Sequence, residues 1–300
     1  MIALIAGTGD LPAAILHRVQ EPVLVCALDG FAPSLDVDIS FRIEHLGSFL
    51  QALHERSVTQ ICMAGAIRRP PVDPSAIDAA TMPLVPRIQA AIAKGDDGAL
   101  REVIAIFEEN GFAIVAAHAI APDLLPPEGV PTQVQPSDWH NADAIVGEAT
   151  VAAMGQGDIG QACVIRMGQV AAQEDADGSD AMLAKFHEEY RDDEEPAGLV
   201  EELSDFVADA VRPILDKIKG TPPEAVTADD GILFKAPKPD QDRRTDLPVI
   251  GFETVKGAAE AGLAGIVIEA GGVMVLDLPS VVETLDLHDM FLWVRHKGAA

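Results

Sequence analysis

The sequence predicts an α/β protein of two domains, a parallel doubly wound sheet followed by a second α/β domain with a mixed sheet. Strand-like and helix-like segments alternate over residues 1–120, and strands separated by helices imply a parallel sheet. Five prolines at 121–137 interrupt the alternation and indicate a linker. A hairpin pattern within residues 138–300 then predicts antiparallel strands in the second domain.

In the first domain, short apolar runs predict buried strands and amphipathic spacing predicts helices. Gly111 has the character of a helix C-cap. The predicted strands are Ile2–Ala6, Pro22–Leu28, Gln60–Ala66 and Phe112–Ala117, and the predicted helices are Ala13–Val19, Ser48–Ser57 and Leu100–Glu109.

The second domain opens with a small-residue helix, and a hairpin follows around Met167-Gly168. Residues 186–230 hold fourteen acidic and four basic residues, which predicts a solvated insertion with a surface helix over Leu199–Ile218. The predicted helices are Asn141–Met154, one from Gly178, Glu253–Ala261 and Val281–His296, and the predicted strands are Gln161–Arg166, Gln169–Glu174, Gly231–Lys235, Ala264–Glu269 and Val273–Leu278.

Composition excludes several classes of function. A formal net charge of -27 argues against a general nucleic-acid binder, because phosphate contacts require a basic face. The three cysteines are widely spaced in apolar runs, which favours buried thiols over disulfides or a metal cluster. We see no signal peptide and no apolar run near the roughly 18 residues of a membrane span, so a cytoplasmic location is expected.

The segment from Lys235 to Asp246, called the charged loop below, is the strongest candidate for chemistry. Two prolines and an Asp-Gln-Asp run make it a poor helix and a poor strand. Its mixed charges suit a metal ion beside a phosphate, although a solvated surface turn is the alternative. The carboxylates are Asp240, Asp242 and Asp246, and the cations are Lys235, Lys238, Arg243 and Arg244.

Two segments of the first domain suit anion binding. The turn Gly7-Thr8-Gly9-Asp10 follows the first strand, but Pro12 stands where the dinucleotide fingerprint requires a third glycine. The turn therefore suits a nucleotide or a single phosphate, or it is only a tight turn. Arg68 and Arg69 follow a strand predicted to end at the ligand-binding edge, where they either pair with a phosphate or are solvated.

Two segments of the second domain are weaker candidates. Ser179, after Gly178, is either a helix N-cap or part of a site, and Asp180 favours the helix dipole or ligates a metal. Glu269 near Gly271-Gly272 faces a cleft or is an exposed acid at a hairpin. The histidines lack zinc-ligand spacing, and neither a nucleophile elbow nor a Walker loop is present.

Five motifs in order along the chain resemble one known family. They are Leu4-Ile-Ala-Gly-Thr-Gly-Asp-Leu-Pro12, Gly65-Ala-Ile-Arg-Arg-Pro70, Gly178-Ser-Asp-Ala-Met-Leu183, the charged loop through Pro248, and Glu260-Ala-Gly-Leu-Ala-Gly-Ile-Val-Ile-Glu-Ala-Gly271. Together they resemble the magnesium-dependent UDP-2,3-diacylglucosamine pyrophosphatases of lipid A biosynthesis, a family distinct from the calcineurin-like isozyme.

The resemblance implies a Rossmann-like amino-terminal domain, a second α/β domain and a site between them. It implies attack of water on the α-phosphorus, giving UMP and 2,3-diacylglucosamine 1-phosphate (lipid X). Asp242 is placed as the family's functional aspartate, with Asp246 as the alternative. Lys238 is expected to offset charge. Asp242, Asp180 and Asp240 are the expected Mg²⁺ ligands, and the expected substrate contacts are Gly7, Gly9, Asp10, Arg69, Gly178, Ser179, Gln241, Arg243, Arg244 and Glu269.

A lipid-linked nucleotide sugar as substrate also implies a transient contact with the membrane surface, peripheral to the inner face of the cytoplasmic membrane. The apolar stripe Leu285–Val294 is a candidate for that contact, although a core or homodimer role is the stronger expectation. Two other functions remain open. One is a non-catalytic nucleotide- or lipid-binding protein, and the other is an NAD-dependent oxidoreductase, which the broken fingerprint at Pro12 disfavours.

Overall fold

The structure is a computed structural model that describes residues 1–68, 70–92, 96–191, 231–239 and 241–299. The chain forms two compact units. The first comprises Met1–Asp123 together with Asp242–Asp246, and the second comprises Leu124–Gln241 together with Leu247–Ala300. Helices and strands occur in both units, so the predicted α/β class is confirmed.

The first unit contains a five-stranded parallel sheet in the order β3-β2-β1-β4-β5. Strand β1 is central and buried along its whole length, as its continuous apolar run predicts. The edge strand β3 was not predicted, because its three residues carry no apolar run. The strands are β1 (Ile2–Ala6), β2 (Val23–Leu28), β3 (Ile39–Phe41), β4 (Gln60–Ala64) and β5 (Ala113–Ile114).

Helices cover this sheet and close its core. Phe49 of α2 meets Phe107 of α4 edge to face, with ring centroids 6.5 Å apart. Strand β5 is shorter than predicted, because a helix begins at Ala117. The helices are α1 (Leu11–Leu16), α2 (Leu46–Glu55), α3 (Val85–Ile92), α4 (Asp96–Glu109) and α5 (Ala117–Ile120).

The second unit contains a mixed sheet in the order β12-β10-β8-β6-β7. Strand β6 is antiparallel to β7 and to β8, which confirms the predicted hairpin. Met167 and Gly168 both have positive φ at its turn. The strands are β6 (Ala162–Arg166), β7 (Gln169–Gln173), β8 (Ile232–Lys235), β10 (Gly265–Glu269) and β12 (Phe291–Arg295), and a separate parallel pair is formed by β9 (Val249–Ile250) and β11 (Met274–Val275).

The prediction of a final helix over Val281–His296 is wrong. A helix does span Leu278–Leu287, but the chain turns at Asp289 with φ +55° and continues as the buried strand β12. Most of the apolar stripe Leu285–Val294 is therefore core, in line with the stronger of the two expectations, and Leu287 is its exposed member. The helices of this unit are α6 (Asp138–Gln156), α7 (Ser179–Arg191), α8 (Phe252–Glu260) and α9 (Leu278–Leu287).

The three cysteines are buried and unpaired, as predicted. Burial raises the pKa of Cys26 and of Cys62 to about 12. Within the described ranges, no helix has the length and apolar character needed to cross a bilayer. The helix predicted over Leu199–Ile218 lies outside the described residues.

Candidate active site

The glycine turn after β1 is hydrogen-bonded to the segment that follows β4. Thr8 and Ala66 exchange backbone hydrogen bonds of 3.0 and 2.9 Å. A Cβ at Gly7 would lie 2.5 Å from the carbonyl oxygen of Ala66, so close packing demands glycine there. Gly9 has φ +90° with open space around it, and the side chain of Asp10 makes no cap hydrogen bond to α1. The tight-turn interpretation therefore holds at Gly7, while Gly9 and Asp10 stay open to a ligand.

The last five residues of the charged loop, Asp242–Asp246, belong to the first unit. Arg244 donates from Nε to Asp242 Oδ1 at 3.0 Å and from Nη2 to Oδ2 at 2.8 Å. Its Nη1 donates to Glu108 Oε1 of α4 at 2.7 Å. The hydrogen bonds from Arg244 hold the pKa of Asp242 below its usual range, against the opposing effect of partial burial. Asp242 is thus an oriented, partly buried carboxylate that lies beside the exposed Arg243 and Arg244.

The same five residues form a turn, because the amides of Thr245 and Asp246 donate to the Asp242 carbonyl at 3.1 and 3.2 Å. His118, which the sequence did not suggest, lies just after β5 in this unit. Burial lowers the pKa of His118, and the nearby charge of Arg243 adds to the effect. Its position after a parallel strand was the available signal.

In the second unit, Lys235 ends β8 and is buried. Its Nζ donates to Ser179 Oγ at 2.9 Å, and Ser179 Oγ donates to Glu174 Oε1 at 2.8 Å. The amide of Gln161 donates to Glu174 Oε2 at 2.7 Å. Burial lowers the pKa of Lys235, and the charges of Glu174 and Asp180 oppose that shift. Ser179 is therefore hydrogen-bonded to two buried side chains. Of these, Glu174 was not predicted from the sequence.

Lys238 and Gln241 hold the first half of the charged loop. Lys238 Nζ lies 2.5 Å from Asp158 Oδ1. The Lys238 amide donates to Gln241 Oε1 at 2.9 Å, and Gln241 Nε2 donates to Gln161 Oε1 at 3.2 Å. Gln241 is buried, so its first role is to shape the loop.

Glu269 ends β10 and is buried, so the alternative of an exposed hairpin acid is wrong. Lys297 Nζ lies 4.0 Å from Glu269 Oε2, and both line a cavity of about 400 Å³ with apolar residues of α6. Gly178 has φ +93° and precedes α7, whose second residue, Asp180, is exposed.

The predicted residues thus form two groups, each within one unit. The first unit brings Asp242, Arg243, Arg244 and Asp246 together, and the second brings together Lys235 with Ser179 and Lys238 with Gln241. Asp240 and Arg69 lie outside the described residues. Among those that are described, no three histidine, cysteine, aspartate or glutamate side chains are grouped closely enough to hold a metal ion by themselves.

Comparison with known proteins gives a consistent result along the chain. Residues 1–124 match the family model of the LpxI N-terminal domain, and residues 127–293 match that of the LpxI C-terminal domain. The UDP-2,3-diacylglucosamine pyrophosphatase LpxI of Caulobacter vibrioides is 35% identical over 301 residues, which cover 98% of this chain and 96% of that protein.

Proposed function

We propose, since this chain belongs to the LpxI family, that it hydrolyses the pyrophosphate bond of UDP-2,3-diacylglucosamine. The family resemblance inferred from the five motifs is confirmed. The products are UMP and 2,3-diacylglucosamine 1-phosphate, and the reaction is a step of lipid A biosynthesis. The observation that carries the proposal is the Asp242 carboxylate, which accepts two hydrogen bonds from Arg244, while Arg244 also donates to Glu108.

The chemistry requires charge neutralisation, because the pyrophosphate is anionic and repels an attacking water. We place Asp242 as the group that orients water or ligates the metal, and Asp246 as the alternative. Its lowered pKa keeps Asp242 ionised at neutral pH, which both roles require. Lys238 and Arg243 then offset the negative charge that builds on the phosphoryl oxygens.

We propose Mg²⁺ as the metal, because carboxylate oxygens are among the ligands that it prefers. Proteins commonly hold this ion with one or two carboxylates, while substrate phosphates and water complete its shell. Asp242 and Asp246 supply two carboxylates four residues apart in the first unit, and we propose Asp180 and Asp240 as further ligands. When bound, Mg²⁺ would polarise the phosphoryl oxygens and lower the pKa of a bound water.

We propose substrate contacts in both units. In the first unit we propose the Gly9-Asp10 turn and Arg69 for the nucleotide. Gly7 supports that turn through its packing against Ala66. In the second unit we propose Glu269 as a direct contact, whereas Gly178, Ser179 and Gln241 shape the segments around the substrate.

A lipid substrate must also pass from the membrane to the enzyme. We propose a transient contact with the inner face of the cytoplasmic membrane and a homodimer in solution. Vesicle co-sedimentation and sedimentation velocity test the two ideas separately, and a monomer that never sediments with lipid would refute both.

The direct test incubates the purified protein with UDP-2,3-diacylglucosamine and Mg²⁺ and measures UMP. We expect UMP release that EDTA abolishes and that Asp242→Asn reduces by at least about a hundredfold. Binding of the substrate without turnover would instead identify a non-catalytic binding protein, and NAD-dependent turnover of another substrate would identify an oxidoreductase.

The position of attack has its own test. Hydrolysis in ¹⁸O-labelled water places the label in UMP if water attacks the α-phosphorus. Label in the lipid phosphate would show attack at the other phosphorus and would contradict the proposed chemistry.

A further inference from the structure

The ion pair between Asp158 and Lys238 joins residues 80 positions apart in the chain. Asp158 Oδ1 lies 2.5 Å from Lys238 Nζ, and the two side chains are 30% and 12% exposed. The Lys238 side chain is the better shielded of the two, so its attraction to Asp158 is screened less than that of a fully exposed pair. Lys238 is also one of the two cations of the charged loop, with Arg243, that the proposed function assigns to the pyrophosphate.

The backbone around α6 is adapted to this contact. A Cβ at Gly155 would lie 2.6 Å from Pro239 Cδ and 3.1 Å from Lys238 Cβ, so only glycine lets the loop pack this closely on the helix. Three residues later, Asp158 has φ +52°. Aspartate is among the few residues other than glycine that tolerate a left-handed backbone. Two separate features thus bring the end of α6 against Lys238.

We propose that Asp158 is a positioning residue for Lys238, an inference that rests on the proposed function. Lysine has a flexible four-carbon stem and therefore considerable rotamer freedom. The Asp158 carboxylate limits that freedom before substrate arrives, so less of it is lost when the ammonium meets the pyrophosphate. An ammonium has three donors, so the bond to Asp158 does not exclude phosphate contacts.

The variant Asp158→Gly removes the carboxylate while keeping a residue that favours positive φ. We therefore expect a thermal midpoint close to that of the wild type, and a kcat on UDP-2,3-diacylglucosamine lower by about ten- to a hundredfold, with a smaller change in KM. Asp158→Asn keeps a hydrogen-bond acceptor without the charge, and its kcat should lie between those of the wild type and Asp158→Gly.

A matched control is available in the same unit. Asp289 has φ +55° and is exposed, and within the described residues its side chain makes no ion pair or hydrogen bond. Asp289→Gly makes the same substitution in the same backbone conformation and should leave kcat unchanged.

The background Lys238→Met decides whether Asp158 acts through the lysine. If it does, adding Asp158→Gly to Lys238→Met causes no further loss of kcat, because there is no ammonium to position. An equal loss in both backgrounds, or full activity of Asp158→Gly beside an active wild type, overturns the inference alone. A wild type that releases no UMP refutes the proposed function and this inference with it.

Discussion

Arg244 donates hydrogen bonds from Nε and Nη2 to the carboxylate of Asp242, and from Nη1 to Glu108 of α4. The Arg244–Glu108 contact joins residues 136 positions apart and holds Asp242–Asp246 in the first unit. These contacts give the charged loop an oriented carboxylate. Substitution of Arg244 therefore tests whether the orientation of Asp242 matters for activity.

Replacement of Arg244 should lower kcat/KM because Asp242 loses its orientation. We expect Arg244→Met and Arg244→Lys to lose about ten- to a hundredfold each, since an ammonium cannot reproduce the two-pronged guanidinium contact. Steady-state kinetics on UDP-2,3-diacylglucosamine measures the loss.

Glu108→Gln serves as the control, because it weakens one contact of Arg244 and leaves Asp242 paired. Its kcat/KM should stay within a few-fold of the wild-type value. Wild-type activity of Arg244→Lys would show that the two-pronged contact is unimportant.

Lys235 and Glu174 should behave as one buried unit. Lys235→Met removes the donor to Ser179 and the buried charge that attracts Glu174, and should lower the free energy of unfolding by about 1–3 kcal/mol. Urea unfolding of the whole chain measures the change.

The double variant Lys235→Met with Glu174→Gln removes both charges and should recover much of that loss. A double variant as unstable as the sum of the two single variants would show that the pair is not coupled through Ser179.

Local patterns predicted the central elements well, and long-range pairing explains what they missed. Strand β1 was predicted with correct bounds, because five consecutive apolar residues in a central parallel strand are buried on both faces. Strand β12 was mistaken for helix, since a short apolar run fits a buried strand and a helix equally well.

The site shows the same division. The charged loop is visible in sequence by its composition, but its anchors are not. Glu108, Asp158 and Glu174 are ordinary acids in a chain with 48 acidic residues. Only the fold reveals which of them meets a cation.

The glycine turn gives a comparison between two neighbouring positions. Gly7→Ala places a Cβ 2.5 Å from the Ala66 carbonyl oxygen, so the backbone must move. At Gly9 an added Cβ would meet open space, so Gly9→Ala should lower the free energy of unfolding only through the positive φ, by about 1–2 kcal/mol. Thermal unfolding should therefore show the larger loss for Gly7→Ala, and the reverse order would contradict this packing.

Glu44 should make the stability of the first unit sensitive to acid. It is buried, it accepts two hydrogen bonds from Arg42 at 3.0 and 3.2 Å, and it accepts one from the Asp73 amide at 2.7 Å. The hydrogen bonds from Arg42, followed by that from Asp73, lower the pKa of Glu44 to about 2 from an ordinary value of 4.5. A carboxyl whose pKa is lower in the folded state stabilises the fold above the unfolded pKa.

That contribution is fully present above pH 4.5 and is lost as the pH falls toward 2. Glu44→Gln should therefore be less stable than the wild type at neutral pH, and the difference should shrink as acid is added. Unfolding curves at several pH values between 7 and about 3 measure it. Glu283→Gln, at an exposed glutamate of α9, provides the control and should show no such trend. A stability difference for Glu44→Gln that is constant across this range would contradict the role of the charged carboxylate, because a loss of packing alone does not depend on protonation.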